Sequence, residues 1–266
     1  MFTLSIPVTA SNLDAIKSAL TKALPDVKSS HRCEAIARGL GYRTYASLLA
    51  ETRTNDAKVA TANGMAFSAY LAEHDFYVAG PALYRAVAKA ALLAVSEQWP
   101  RLTIGGFGVG ERERRPDGQW ETGADRRKKL EDGRAQLVSD YEIEAFLASL
   151  AFVSRVERTK TIRPATNSYC VKHIAENYAC TFPEGEALGP VYVPNGVLIA
   201  AAIHAGFMVK PHTDDYGGET LNAGFNMGKA SLYDLDCEIR PDGARAQDRC
   251  RQEQRRARGR FGLIYA

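Results

Sequence analysis

The stretch VLIAAAIHA, Val197 to Ala205, is apolar on every side of a helix, and it constrains the fold more than any other feature. A helix of that kind has to be enclosed, so it sits at the centre of the molecule with neighbours all round. Pro81 to Trp99 reads as another long helix: Pro81 suits a first helical turn, Pro100 stops the helix, and Leu83, Val87, Ala90 and Ala94 form the inward stripe. The stripe is made of small residues, so whatever packs there comes close. With 266 residues, 45% of them apolar, the chain can bury a sizeable core as one domain or two.

The remaining pattern predicts an α+β fold with a small N-terminal helical module, a mixed α/β core of short strands and hairpins, and a basic C-terminal helix. In residues 1–53, Leu13, Ile16, Leu20 and Ala23 recur at helical spacing from Asn12 to Leu24, and Pro25 ends that helix. Ser30 is placed to cap the next helix and Thr44 the one after. The polar stretch TNDAKVATANG, residues 54–64, reads as a linker. Residues 65–165 read as a helix-and-hairpin region. It holds a helix near Met65 to Glu73, the helix after Pro81, and a hairpin turning at Pro116-Asp117-Gly118. GADRRKKLEDGR reads as an exposed, charge-mixed stretch; Ser139 and Glu142 make a capping-box pattern for a helix through Leu150, and a strand is expected over Ala151 to Ile162. Residues 166–239 read as a second α/β region: a helix from Ser168 to Tyr178, the central helix between two strands, a Gly-rich loop GGETLNAGFNMG, and a helix or strand over Ser231 to Ile239. Residues 240–266 are Arg-rich.

Charge is distributed unevenly. Residues 240–260 hold eight arginines against Asp242, Asp248 and Glu253, a net +5, which leaves −2 for the rest of a chain whose total is +3. Attraction to a polyanion is therefore concentrated at Arg245, Arg249, Arg251, Arg255, Arg256, Arg258 and Arg260. Phe261, Leu263, Ile264 and Tyr265 follow and suggest that this end docks. The five cysteines are scattered and form no CxxC pair, which fits reduced thiols. No apolar run reaches the ~20 residues needed to cross a bilayer, so no membrane partner is expected. The start, MFTLSIPVTASN, lacks a basic region before its apolar stretch, and a cytoplasmic location is expected.

Several constellations invite a chemical reading. HRCEAIARGLGYRTYASLLAE, from His31 to Glu51, has the outline of a helix-turn-helix. Its second helix, however, offers Tyr45, Ala46 and Ser47 where Arg, Lys, Asn or Gln would read bases. Gly41 reads instead as a left-handed stop that lets two helices pack, and the alternative use of the corner is phosphate contact through Arg32, Arg38 and Arg43. Gly105 to Gly110 lacks the GxGxxG spacing and reads as a twisted strand under a bulky neighbour. His173 and Glu176 read as a surface ion pair, and His204 as a group satisfying terminal carbonyls of its helix. His212, Asp214, Asp215, Asp234 and Asp236 are the one set that could hold a hard metal ion. Asp234, Asp236 and Glu238 also describe the polar side of an edge strand. No motif specifying a reaction is present, and no cofactor is implied.

AIARGLGY from Ala35 to Tyr42, followed by Tyr45 and Leu48, resembles a short helical module near the amino termini of uncharacterised proteins carried on bacterial plasmids and phages. NSYCVKHIAENY and YVPNGVLIAAAIHAGFMVK are similar to sequence in such proteins. The resemblance implies a mobile-element setting and supplies no catalytic residues. Two functions of different class are consistent with these features. The first is a non-enzymatic regulator or inhibitor that binds nucleic acid, or a nucleic-acid-handling protein complex, through the arginines. The second is a metal-dependent enzyme, a nuclease among them, built on the carboxylates. Oligomeric state is not legible in the sequence.

Overall fold

The computed structural model describes residues 3–54, 56–213 and 219–240. Strand β1 (Ser5–Pro7) leads into α1 (Ala10–Ala23), which starts where Thr9 Oγ1 accepts the Asn12 amide at 3.2 Å and which buries Leu13, Ile16 and Leu20. Next come α2 (Ser29–Gly39) and α3 (Tyr45–Glu51). Lys28, not Ser30, occupies the cap position of α2, without a side-chain hydrogen bond. Thr44 caps α3 as expected, in a reciprocal box with Ser47. The corner between these two helices is closed locally: Gly41 takes φ +81°, its amide donates to the Arg38 carbonyl at 3.1 Å, and the Tyr42 amide reaches back to Ala37 at 2.8 Å.

The expected linker is instead structural. Strand β2 (Val59–Thr61) pairs antiparallel with β1, and Ala60 and Ala62 are buried beneath it. The first helices are thereby tied to the next two, α4 (Gly64–Ala72), capped by Asn63, and α5 (Pro81–Gln98), which packs along α1.

The single hairpin expected after α5 is two turns. Strands β3 (Leu102–Thr103) and β4 (Gly106–Phe107) make the first, and the Pro116-Asp117-Gly118 turn makes the second, closed by the Gly118 amide on the Arg115 carbonyl at 2.9 Å. The charge-mixed stretch is a helix, α6 (Gly123–Leu137), started by a Thr122/Asp125 capping box. Leu137 alone is buried within it, so tertiary hydrogen bonds hold it: Ile104 N–H donates to the Gly133 carbonyl at 2.9 Å, and the Arg134 guanidinium donates to the carbonyls of Ser96 and Trp99. Buried Glu121 fastens the same region through Lys129 and Arg126, and the Lys129 ammonium beside it holds its carboxyl below the usual range.

A short 3₁₀ turn (Asp140–Glu142) precedes α7 (Ile143–Val153), and Ser139 provides no side-chain cap there. The expected strand starts later than its sequence suggests, because Ala151 to Val153 complete α7; β5 runs Arg158–Asn167 and crosses the anticipated boundary at residue 165. Then come α8 (Ser168–Ala175), capped by Asn167, the small pair β6 (Cys180–Thr181) and β7 (Ala187–Leu188), and α9 (Asn195–His204). The chain finishes its described course in β8 (Val209–Thr213), β9 (Glu219–Met227) and α10 (Lys229–Ile239).

Helix α9 is central, as its all-round apolar sequence requires: every residue from Asn195 to Ala202 is buried, among α5, α7 and α8. The Gly-rich loop expected before α10 is the middle strand of an antiparallel sheet ordered β5-β9-β8. Ala223, Phe225 and Met227 alternate into the core, while Gly224 leaves room on the other face for His212 Nε2 and Ile162. One continuous hydrophobic cluster runs from Leu4 to Leu235, joining what the sequence suggested were separate regions.

Candidate functional site

The α2–α3 corner is a packing device. Leu48 is buried, the Tyr45 amide donates to Glu34 Oε2 at 2.9 Å, and Arg32 spends its guanidinium on the carbonyls of Leu24 and Val27. Arg38 and Arg43 are exposed at this corner, Arg38 lying 5.9 Å from the centre of the Tyr70 ring. No basic residue occupies α3 itself, so it presents no base-reading fork.

The glycines at 105 to 110 serve close packing. A Cβ at Gly106 would lie 1.8 Å from the Leu221 carbonyl oxygen, and Leu221 is also the side chain nearest Gly110. The Gly108 amide donates to the Arg101 carbonyl at 2.7 Å, and Asn195 Nδ2 donates to the Gly105 and Leu221 carbonyls at 3.1 Å each.

Of the metal-ligand set, Asp214 and Asp215 lie outside the described residues. His212 is on β8, half-buried against Gly224. Asp234 and Asp236 are on a helix rather than the edge strand their spacing suggested, so residues two apart point about 200° apart around its axis. Asp236 is paired with Arg240, Glu238 holds Arg155 through two bonds of 2.7 Å, and Asp234 is exposed. Among the described residues no three His, Cys, Asp or Glu side chains converge as a metal site.

Arg245, Arg249, Arg251, Arg255, Arg256, Arg258 and Arg260 also lie outside the described residues, as does the basic helix expected there. The sheet that precedes α10 carries further positive charge that sequence reading did not single out. Lys160 and Arg163 on β5 and Lys210 on β8 are exposed, with no ion pair to a described carboxylate. Lys210 lies opposite Gly224 and shares its face with His212, because paired residues and residues two apart project from one side.

His173 and Glu176 do pair, at 2.6 Å, and the pair extends to Lys172, whose side chain is buried although its sequence neighbours gave no hint of that. His204 lies at the end of α9, near the backbone of Ser5 on β1, and meets Phe146 edge-on at 5.8 Å. Burial lowers its pKa below the ordinary 6.5. The unfolded chain therefore takes up this proton first, so the stabilisation is complete above 6.5 and is lost as pH falls through 6.5 toward the folded value. Thermal melts at descending pH are expected to show His204→Gln losing less stability than wild type across that window.

These features define an α+β protein with an enclosed helix and a three-stranded antiparallel sheet that bears cations on its outer strands. No family model, curated protein or solved structure matches the chain. Among the described residues no helix is long and apolar enough to cross a membrane.

Proposed function

We propose that this chain is a non-enzymatic regulator or inhibitor, encoded by a mobile element, that binds nucleic acid or a nucleic-acid-handling protein complex. The observation that carries the reading is the set of exposed cations without a described carboxylate partner, Lys160, Arg163 and Lys210, on the sheet whose last strand leads through α10 into the Arg-rich stretch. Exposed cations on the sheet supply contacts to phosphates that do not depend on base sequence, and the arginines beyond α10 add more. Arg38 and Arg43 form a second exposed basic point on the α2–α3 corner.

Fluorescence anisotropy of labelled DNA and RNA, single- and double-stranded, tests this against salt. The full chain is expected to bind at low salt and to release steeply as salt rises, with each phosphate neutralised adding about 0.9 to the logarithmic slope on duplex DNA. A chain ending at Arg240 is expected to keep a shallower slope, which substitution of Lys160, Arg163 and Lys210 by Gln then removes. A folded full chain that binds none of these nucleic acids at low salt overturns direct contact and moves the search to protein complexes. Strand cleavage on adding magnesium would favour the nuclease reading instead.

A further inference from the structure

A cavity of about 500 Å³ lies between β1, the end of α7, the start of β5 and the end of α9. Its walls are of two kinds. Leu150, Val153, Val156 and Phe207 give an apolar side, and Arg158 and His204, with Thr3, Ser5 and Ser154, give the polar one. Volumes of about 300–1,000 Å³, mostly apolar with a few convergent polar groups, are those of small-molecule sites.

Arg158 is set in place by neutral partners. Its guanidinium donates to the Ala205 carbonyl and lies 5.0 Å from the centre of the Phe207 ring. Gly206, at φ +82°, passes close beneath: a Cβ there would sit 3.6 Å from Nη2. A hydrogen bond and a ring thus fix the plane of a group that has five N–H donors, and no described carboxylate lines the cavity to neutralise it. His204 faces the same space, and its neutral ring keeps one nitrogen as an acceptor. One fixed cation, one histidine and an apolar wall are complementary to a single negative charge on a hydrocarbon body.

We propose that this cavity binds a small monocarboxylate with an apolar body, its carboxylate on Arg158 beside His204 and its hydrocarbon against Leu150, Val153, Val156 and Phe207. Arg158 is also an exposed residue of β5, but its guanidinium, unlike the charges of Lys160, Arg163 and Lys210, is turned onto Ala205 and Phe207. A bound carboxylate would favour protonation of His204, so binding takes up protons near the pH at which that ring titrates.

Isothermal titration calorimetry of the full chain with octanoate, 1-octanol and acetate tests the assignment. Octanoate is expected to bind, with acetate and 1-octanol each weaker by at least about tenfold, the size of a charge-assisted hydrogen bond or of several buried methylenes. Arg158→Gln is expected to weaken octanoate by at least about tenfold and leave 1-octanol unchanged. Octanoate, but not 1-octanol, is expected to give a heat that varies with the ionisation enthalpy of the buffer, and His204→Gln to abolish that variation. Octanoate that fails to bind, or binds no tighter than 1-octanol, overturns the proposal; so does an Arg158→Gln chain with unchanged octanoate affinity. The comparison of ligands on the wild-type chain decides even if the variant does not fold. A peptide with an apolar C-terminal residue that binds the cavity more tightly than octanoate would overturn the small-molecule assignment in favour of a chain terminus.

Discussion

Replacing Gly196 with Ala is expected to cost about 3 kcal/mol or more, a large share of the roughly 5–15 kcal/mol of a domain of ordinary stability. The methyl group would lie 1.8 Å from the carbonyl oxygen of Thr103 and 2.9 Å from that of Ile104. Both are backbone atoms, so no rotamer change relieves the overlap. Nor can the helix retreat: the Gly196 amide is bonded to the Ile104 carbonyl at 3.0 Å, Asn195 is bonded to three groups around it, and the following residues through Ala202 are all buried. The same hairpin approaches β9 closely at Gly106, so displacing β3 and β4 would only transfer the overlap. Gly123→Ala is the matched control, since nothing lies within 4 Å of the added carbon at the first turn of α6, and its effect is expected within about 0.5 kcal/mol of zero. Urea denaturation of both variants measures the difference. A Gly196→Ala chain as stable as Gly123→Ala would mean that α9 does not start against the hairpin.

What the sequence revealed depended on how local the cause was. The central position of α9 comes from its own residues, because an apolar surface all round a helix has no solvent-facing solution. The Gly41 stop is as local, a left-handed residue and two backbone bonds within six positions. Helix α6 was hidden because it has no apolar stripe and contains Gly123 and Gly133; its partners are carbonyls on α5 and the amide of Ile104, which no periodicity announces. Strand β9 was hidden for a related reason. Its Gly and Asn residues read as a loop until β5 and β8 are laid beside it, and those come from residues 158–167 and 209–213. The Asp234, Asp236 and Glu238 pattern fits a strand's polar side and a helix equally well in letters, and the helix separates the carboxylates. Of the candidate sites, the arginine charge was plain in the sequence because charge needs no geometry. The cavity was not, since Arg158, His204 and Phe207 meet only through the turn after α9.

Glu176→Ala is expected to destabilise the protein by about 3 kcal/mol, whereas Lys172→Met, which removes the other half of the same pair, is expected to be close to neutral. The asymmetry comes from burial. The Lys172 side chain is 5% exposed and that of Glu176 21%, with Nζ 3.3 Å from Oε2. Removing the carboxylate leaves an ammonium in a place where water cannot hydrate it fully. It retains the rings of Tyr169 and Tyr192, whose centres are 5.4 and 4.9 Å away, and these keep the cost near the lower end of the range for a broken buried pair. Removing the lysine instead leaves a carboxylate that already bonds His173 Nδ1 at 2.6 Å and reaches water, while the methionine stem fills most of the vacated path. The double variant is expected to match Lys172→Met, since no buried charge remains to be stranded. Chemical denaturation of the wild type, the two single variants and the double variant closes the cycle. Equal losses for Glu176→Ala and Lys172→Met, or a double variant as unstable as Glu176→Ala, would show that the ammonium is hydrated and that the glutamate acts through His173 alone.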